Sequence, residues 1–178
     1  MAVEKLEETN WEPWEVDRVF LRGLTRNYDL YEEIKRLRSL PRVIHSEDIP
    51  WEGGPQMWNK WLMEPSWGFM QSLNIHMKEM VPGSTSQIHG HQNDALFYVL
   101  QGTGYEIHDG VRYDWKAGDA VIVHPGCVHE HHVTSPYPAR VLIMKTKPLY
   151  IFLHLLFQGL EEPASKKPMP GWENHWPE

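Results

Sequence analysis

The stretch PGSTSQIHGHQNDALFYVLQGTGYEIHDGVRYDWKAGDAVIVHPGCVHEHH, residues 82–132, decides the fold. Short apolar runs alternate in it with turn residues. Pro82-Gly83 turns the chain, Gly102 and Gly104 end the apolar run 95–100, and Lys116-Ala117-Gly118-Asp119 makes another turn. His108-Asp109-Gly110-Val111 is a hairpin signal, because Asp-Gly readily takes the positive φ values of a two-residue turn. Segments 120–123, 127–134 and 140–145 read as three further strands. Many short strands punctuated closely by Gly and Pro indicate an all-β sandwich or barrel.

Upstream, Phe69, Leu73, Ile75 and Met77 alternate with Ser72, Asn74, His76 and Lys78, the period of a strand. Segment 41–67 holds Pro41, Pro50, Pro55, Pro65 and Gly53-Gly54, with Trp51, Trp58, Trp61 and Trp67 between them. It reads as loops and short strands packed on the barrel by aromatics. Over 29–40, Leu30, Ile34, Leu37 and Leu40 recur three and four apart, which predicts a short amphipathic helix stopped by Pro41. Residues 1–27 read as an arm. After Pro148, LYIFLHLLFQ predicts a closing helix, and the Pro- and Lys-rich tail reads as an exposed extension. The division expected is 1–66 for arm, helix and Trp-rich segment, 67–160 for the barrel and 161–178 for the tail.

The chain has 178 residues, enough to bury one core without covalent staples. Its 17 basic and 24 acidic residues give −7, against the basic face that nucleic acid requires. No apolar run is long enough for a membrane span. The N-terminus is acidic and has no apolar signal core. The single cysteine, Cys127, excludes an internal disulfide and makes the cytoplasm the expected compartment.

Eleven His are many for this length. His89 and His91 are two apart, so a strand puts both imidazoles on one face, where they can bind an ion at about 2.0–2.2 Å. His129 and His131 repeat the spacing on a later strand, which an antiparallel barrel can bring opposite. Neutral imidazole suits Fe, Zn, Cu or Ni, so ligand type does not name the metal. Standing alone, a His-x-His pair is weak evidence, because a single strand His is usually a satisfied core or surface residue.

The surrounding spacing sharpens this. Gly83, five residues, His89-Gly90-His91, three residues, position 95, six residues and Gly102 form one pattern. Gly118-Asp119, His124-Pro125-Gly126, two residues and His129 form a second. These resemble the two motifs of the cupin superfamily, which implies a jelly-roll barrel and one divalent metal on His89, His91 and His129. The common first motif supplies a fourth ligand, Glu, where this chain has Ala95. Over about residues 67–158 the chain is similar to gentisate 1,2-dioxygenase and its relatives acting on 1-hydroxy-2-naphthoate and salicylate. That family has three His ligands, Ala-Leu at the place of Ala95-Leu96, and His-Asp-His at the place of His129-Glu130-His131. The chain departs from it in two respects. Those enzymes carry two cupin domains, and their aromatic run before the third ligand is here Gly126-Cys127-Val128.

The resemblance implies a non-haem Fe(II) dioxygenase acting on a small hydroxylated aromatic acid or similar chelator. Zn, Ni, Mn and Cu are the other metals to test. Two further readings are a metal-dependent lyase, decarboxylase or isomerase, and a non-enzymatic small-molecule-binding cupin. Neither nucleic acid nor membrane is an expected partner; a homodimer is, by analogy. His131 is expected as acid/base, and Gln101 and Tyr105 as orienting groups, with Gln87 beside them. Arg140 is expected to clamp a substrate carboxylate, since a guanidinium fork matches that group, while Arg112 reads as a surface residue. Cys127 reads as a small buried thiol. Trp58, Trp61 and Trp67 read as packing residues that can also roof a pocket. His124, His132, His154 and His175 receive no role.

Overall fold

The computed structural model describes residues 31–64 and 72–178. The arm over 1–27 and residues Trp67 and Phe69 lie outside them. Helix α1, Tyr31–Ser39, occupies the predicted helical segment and carries Arg36 and Arg38 in its last turn, where cations suit the helix dipole. The strands follow as β1 Glu52–Gly53, β2 Met57–Met63, β3 Asn74–Met80, β4 Ile88–His91, β5 Ala95–Gln101 and β6 Thr103–His108. Then come β7 Val111–Lys116, β8 Ala120–Val123, β9 Val128–Val133, β10 Ala139–Lys145, helix α2 Lys147–Phe152 and β11 Gln158–Glu162.

They form two antiparallel sheets, ordered β1-β2-β3-β10-β5-β8 and β11-β4-β9-β6-β7. Met80, Phe97, Val99, Val141 and Ile143 of the first sheet pack on Trp115 and Val133 of the second in one buried cluster. This is the mostly-β jelly roll that the strand punctuation predicts. Asp109 at φ +48° and Gly110 at φ +82° turn β6 into β7 with His108 opposite Val111, the predicted two-residue hairpin.

Gly104 marks the tightest contact between strand and core. A Cβ there would lie 2.1 Å from the His132 carbonyl oxygen and 2.3 Å from the Trp115 ring. Only the missing side chain lets β6, β9 and the indole close up.

The closing helix is shorter than predicted. Pro148 starts α2 in its first turn, and the backbone reaches φ +56° at His154, just past the Leu153 cap. The remaining apolar residues do not supply a buried helical face: Leu153, Leu155 and Phe157 are exposed. The chain extends instead, and β11 pairs with β4, Gln158 opposite His91 and Leu160 opposite His89. An edge strand that carries two of the imidazoles thereby gains its hydrogen-bonding partner.

The Trp-rich segment enters the sheet itself. β2 pairs with β3, Trp58 opposite Glu79 and Trp61 opposite His76. Trp51, Trp58 and Val81 form a second buried cluster, against which Met77, Met169 and Trp172 pack. The last two belong to the tail, which is docked and does not extend freely. His175 Nε2 lies 2.6 Å from Glu79 Oε1, and Gln56 donates to the Ser165 and Lys167 carbonyls. Among the described residues no helix is long and apolar enough to cross a membrane.

Candidate metal centre

Antiparallel pairing of β4 with β9 sets His89 directly opposite His129. Alternation then puts His89 and His91 of β4 and His129 and His131 of β9 on one face, toward the interior. The ring centroids of His89 and His129 are 4.2 Å apart, those of His91 and His129 4.9 Å, and those of His89 and His91 5.6 Å. One nitrogen from each of these three rings lies within 4.8 Å of the others.

Each ring is held by its far nitrogen. His91 Nδ1 lies 2.9 Å from the Asn93 carbonyl oxygen, and His129 Nδ1 lies 3.3 Å from that of Cys127. His89 Nδ1 lies 3.3 Å from the Gln87 carbonyl oxygen. A carbonyl accepts only, so each Nδ1 carries the proton and each Nε2 keeps its lone pair. This is the arrangement metal-binding histidines use to fix tautomer and orientation. His91 Nε2 is buried without a partner. Burial holds the imidazoles neutral, with His129 lowered to about 2 and His89 to about 4 by loss of hydration, and His91 shifted the same way. Neutral, converging nitrogens, that of His91 buried without a partner, fit a divalent transition metal.

A buried hydrogen-bonded network adjoins the triad. Fully buried Glu106, on β6, is hydrogen-bonded to His131 Nδ1 and accepts the Trp115 indole N–H at 3.0 Å. His108 Nε2 is 3.8 Å from the same carboxylate. Burial favours the neutral acid, but His131, His108 and the indole outweigh it and hold Glu106 ionised, with a pKa near about 2. Burial lowers the His131 pKa, against the opposing pull of the Glu106 carboxylate.

The facing wall is polar too. β10 sets Ile143 opposite His76 and Val141 opposite Lys78, so these β3 side chains share the interior with core residues. Asn74 Oδ1 and His76 Nδ1 are buried there without partners. The apolar members of the alternation, such as Met77, pack on the outer side against Trp51 and Trp58. Asn74, His76, Lys78 and Glu106 face the interior, although the sequence reading assigns them no role. They are the polar half of a strand pattern that, in sequence, reads most simply as its solvent face.

The other expected residues separate. His131 is at the centre. Arg140 is not: it sits between the inward Ala139 and Val141, and its guanidinium binds Glu79 on the outer side, close to His175. Tyr105 lies between the inward Gly104 and Glu106, and its ring stacks on His132 at 4.3 Å with Arg112 over it at 3.7 Å. Gln101 is exposed at the far end of β5 and donates to the Pro138 carbonyl. Six residues of strand, about 20 Å, separate it from Ala95. Cys127 is buried beside Ala95 and Val123, and burial raises its thiol pKa. Trp61 shares the inner face with His76, at 4.5 Å between rings.

The model of the cupin domain matches residues 76–145. No curated protein matches the chain. Among solved structures, a salicylate 1,2-dioxygenase from Pseudaminobacter salicylatoxidans aligns at TM-score 0.57 and 16% identity, over 65% of this chain and 33% of that one. The same enzyme with gentisate aligns at TM-score 0.56 over 74% of this chain and 36% of that one. A polyketide cyclase from Streptomyces resistomycificus aligns at TM-score 0.53 and 18% identity, over 60% of this chain and 79% of that one. The chain thus spans about a third of the dioxygenase's length, and at these identities the likeness is one of fold.

Proposed function

This chain carries a cupin domain over residues 76–145, and we propose that its barrel is a non-haem Fe(II) dioxygenase for a small hydroxylated aromatic acid or similar chelator. The carrying observation is the three-imidazole set, each Nδ1 tied to a backbone carbonyl, with Ala95 where a carboxylate ligand would close the sphere. His89, His91 and His129 would hold the metal. Iron, when bound, supplies a Lewis acid with open positions and an electron donor for dioxygen.

The chain's own groups do the rest. Glu106 accepts a hydrogen bond from His131 Nδ1–H, leaving Nε2 as the ring's acceptor for a substrate hydroxyl proton. Phe97 packs edge-on against His131 at 5.5 Å and fixes that ring. The core around Phe97, Trp115 and Val133 excludes water behind the site. Arg140, Gln101 and Tyr105 drop out of the proposed catalytic set on their placement. We propose the barrel as the catalytic unit, with the flanking segments as support. We assign the protein to the cytoplasm, which suits its buried thiol, and favour a homodimer through the outer sheet face, where Tyr98, Leu100 and Ile122 are exposed.

The Glu106–His131 pair favours a second reading, a redox-neutral lyase, cyclase or isomerase, because a built-in proton relay is what such a reaction needs. The salicylate dioxygenase and the polyketide cyclase that share the fold represent the two chemistries. Anaerobic loading with Fe(II), followed by oxygen-electrode assays over salicylates, gentisate, catechols and diketones, separates them. Substrate-dependent oxygen uptake, lost in His129→Ala, is the expected result. No uptake with iron bound and reduced ends the dioxygenase reading. Turnover under nitrogen with zinc or nickel replaces it with the second.

A further inference from the structure

Two lysines face the triad from the opposite sheet. β10 sets Lys145 opposite Asn74 on one side and opposite Ala95 on the other. Directly paired side chains of an antiparallel ladder lie on the same face, with Cβ atoms about 4.5–5.5 Å apart. Lys145 therefore projects beside the position at which the cupin motif would carry its acidic ligand, and the methyl group of Ala95 leaves that space open. Lys78, opposite Val141, shares the same interior face. Lys145 is near enough to oppose protonation of His76, His89, His91 and His131.

Neither ammonium has a counter-ion among the described residues: no carboxylate pairs with Lys78 or Lys145. Glu106, whose field reaches Lys78, is already bound by His131 and the Trp115 indole. His76 Nδ1, which as a ring N–H can donate to an anion, is likewise buried without a partner. A half-buried pair of cations beside an orphaned donor lacks an anion.

We propose that Lys145, backed by Lys78, is the anion subsite of this barrel and takes the carboxylate of a small substrate whose remaining oxygens point at His89, His91 and His129. The assignment gives the chelating-acid reading above its recognition element and rests on that reading for the second half of the ligand. It moves the carboxylate clamp from Arg140, which the Glu79 pairing holds outside, to an ammonium beside Ala95. Burial, with Lys78 and Lys147 nearby, lowers Lys145 to about 7, and a bound carboxylate would restore its charge. A divalent ion held on the three imidazoles would add to the same attraction.

The test is calorimetric, on whole protein in two forms. Metal-stripped protein is titrated with benzoate, which has a carboxylate and no chelating hydroxyl. Zinc-loaded protein is titrated with salicylate and with phenol. Lys145→Met should weaken benzoate and salicylate by about tenfold or more, and Lys78→Met by less, as expected for loss of a charge-assisted contact. Phenol binding and zinc stoichiometry should not change, and Lys145→Arg should recover most of the carboxylate affinity. Ala95→Glu brings an internal carboxylate to the same ammonium and should remove benzoate binding, which keeps the test decisive if Lys145→Met misfolds. Carboxylate affinities that ignore both variants overturn the proposal, as does wild-type protein that binds neither acid. If no metal binds but benzoate still depends on Lys145, the metal-centred reading fails and the anion subsite stands. If zinc binds and salicylate ignores Lys145, the reverse holds.

Discussion

Glu106 and His131 share a hydrogen bond in the interior of the barrel, the carboxylate on β6 and the imidazole on β9, two positions from His129. Glu106 is fully buried and also takes the Trp115 N–H. Glu106→Gln keeps the shape but withdraws the charge to which both donors point. Breaking one side of a buried charge-assisted network costs about 3 kcal/mol. The melting temperature should fall, while metal stoichiometry persists because all three triad Nδ1 atoms have other partners. A melt unchanged from wild type would mean that the network contributes nothing to stability.

Gly104→Ala should be among the most damaging single substitutions. Its Cβ would meet the His132 carbonyl at 2.1 Å, and neither backbone nor indole can yield cheaply. A loss of about 3 kcal/mol or more is expected from overpacking at a fixed contact. Gly118→Ala is the contrast: nothing lies within 4 Å of its Cβ, and only the φ of +93° opposes it. Urea unfolding of the two variants should show the larger midpoint shift for Gly104→Ala.

Strand parity explains which parts of this site could be read from sequence. The Asp109-Gly110 turn and the paired spacing of His89-Gly90-His91 and His129 are local signals, and the backbone realises both. Arg140 and Tyr105 lie off the inner face by one position each, since a shift of one residue along a strand exchanges interior for exterior. No local signal gives that parity. It follows from the register of β10 against β3 and of β6 against β9, which are long-range pairings. The same ambiguity hides Asn74, His76 and Lys78, because an inward polar row looks like a solvated one. The short closing helix has a different cause: LYIFLHLLFQ is apolar enough for a helix, but β4 needed an edge partner more than the barrel needed another helical turn.

Arg140→Ala tests that parity in solution. The guanidinium joins Glu79, which also holds His175 of the tail, and Glu79 is buried. The variant should lose about 1–3 kcal/mol, the cost of leaving a buried charge poorly partnered. Ligand affinity at the barrel interior should be unchanged. A variant that melts normally but loses carboxylate binding would return Arg140 to the site.

Metal-free protein should be acid-sensitive from neutrality downward. His76 and His129 are lowered from 6.5 to about 2, and His89 from 6.5 to about 4, chiefly by burial. Below pH 6.5 the unfolded chain takes up protons that the folded chain refuses. Stability is therefore present above 6.5 and lost as pH falls toward 4 and beyond. Each fully excluded proton contributes a slope of about 1.4 kcal/mol per pH unit. Lys145, lowered from 10.5 to about 7, adds the same sign on the alkaline side, so stability rises again between pH 7 and 10.5. Chemical denaturation across pH 4.5–9, a window chosen on these shifts, should show stability increasing with pH throughout. A flat profile would mean that these imidazoles protonate freely in the folded state.

His91→Ala should separate metal binding from folding. Its ring is buried, Nδ1 is anchored on the Asn93 carbonyl, and Nε2 has no protein partner. Removing it takes away a ligand without orphaning a donor that the core depends on, and the apolar cluster around Phe97 and Val141 is untouched. In wild type, a metal held in the native state alone raises stability by RT ln(1 + [M]/Kd), about 2.7 kcal/mol at a hundredfold excess over Kd. The variant should melt close to the metal-free wild type and gain nothing from added Fe(II), Ni(II) or Zn(II). Elemental analysis should show its metal content falling from near one per chain to near zero. If His91→Ala unfolds while metal-free wild type stays folded, the imidazole itself holds the barrel together. If it still binds one metal per chain, His91 is not a ligand and the centre must be rebuilt around His89 and His129.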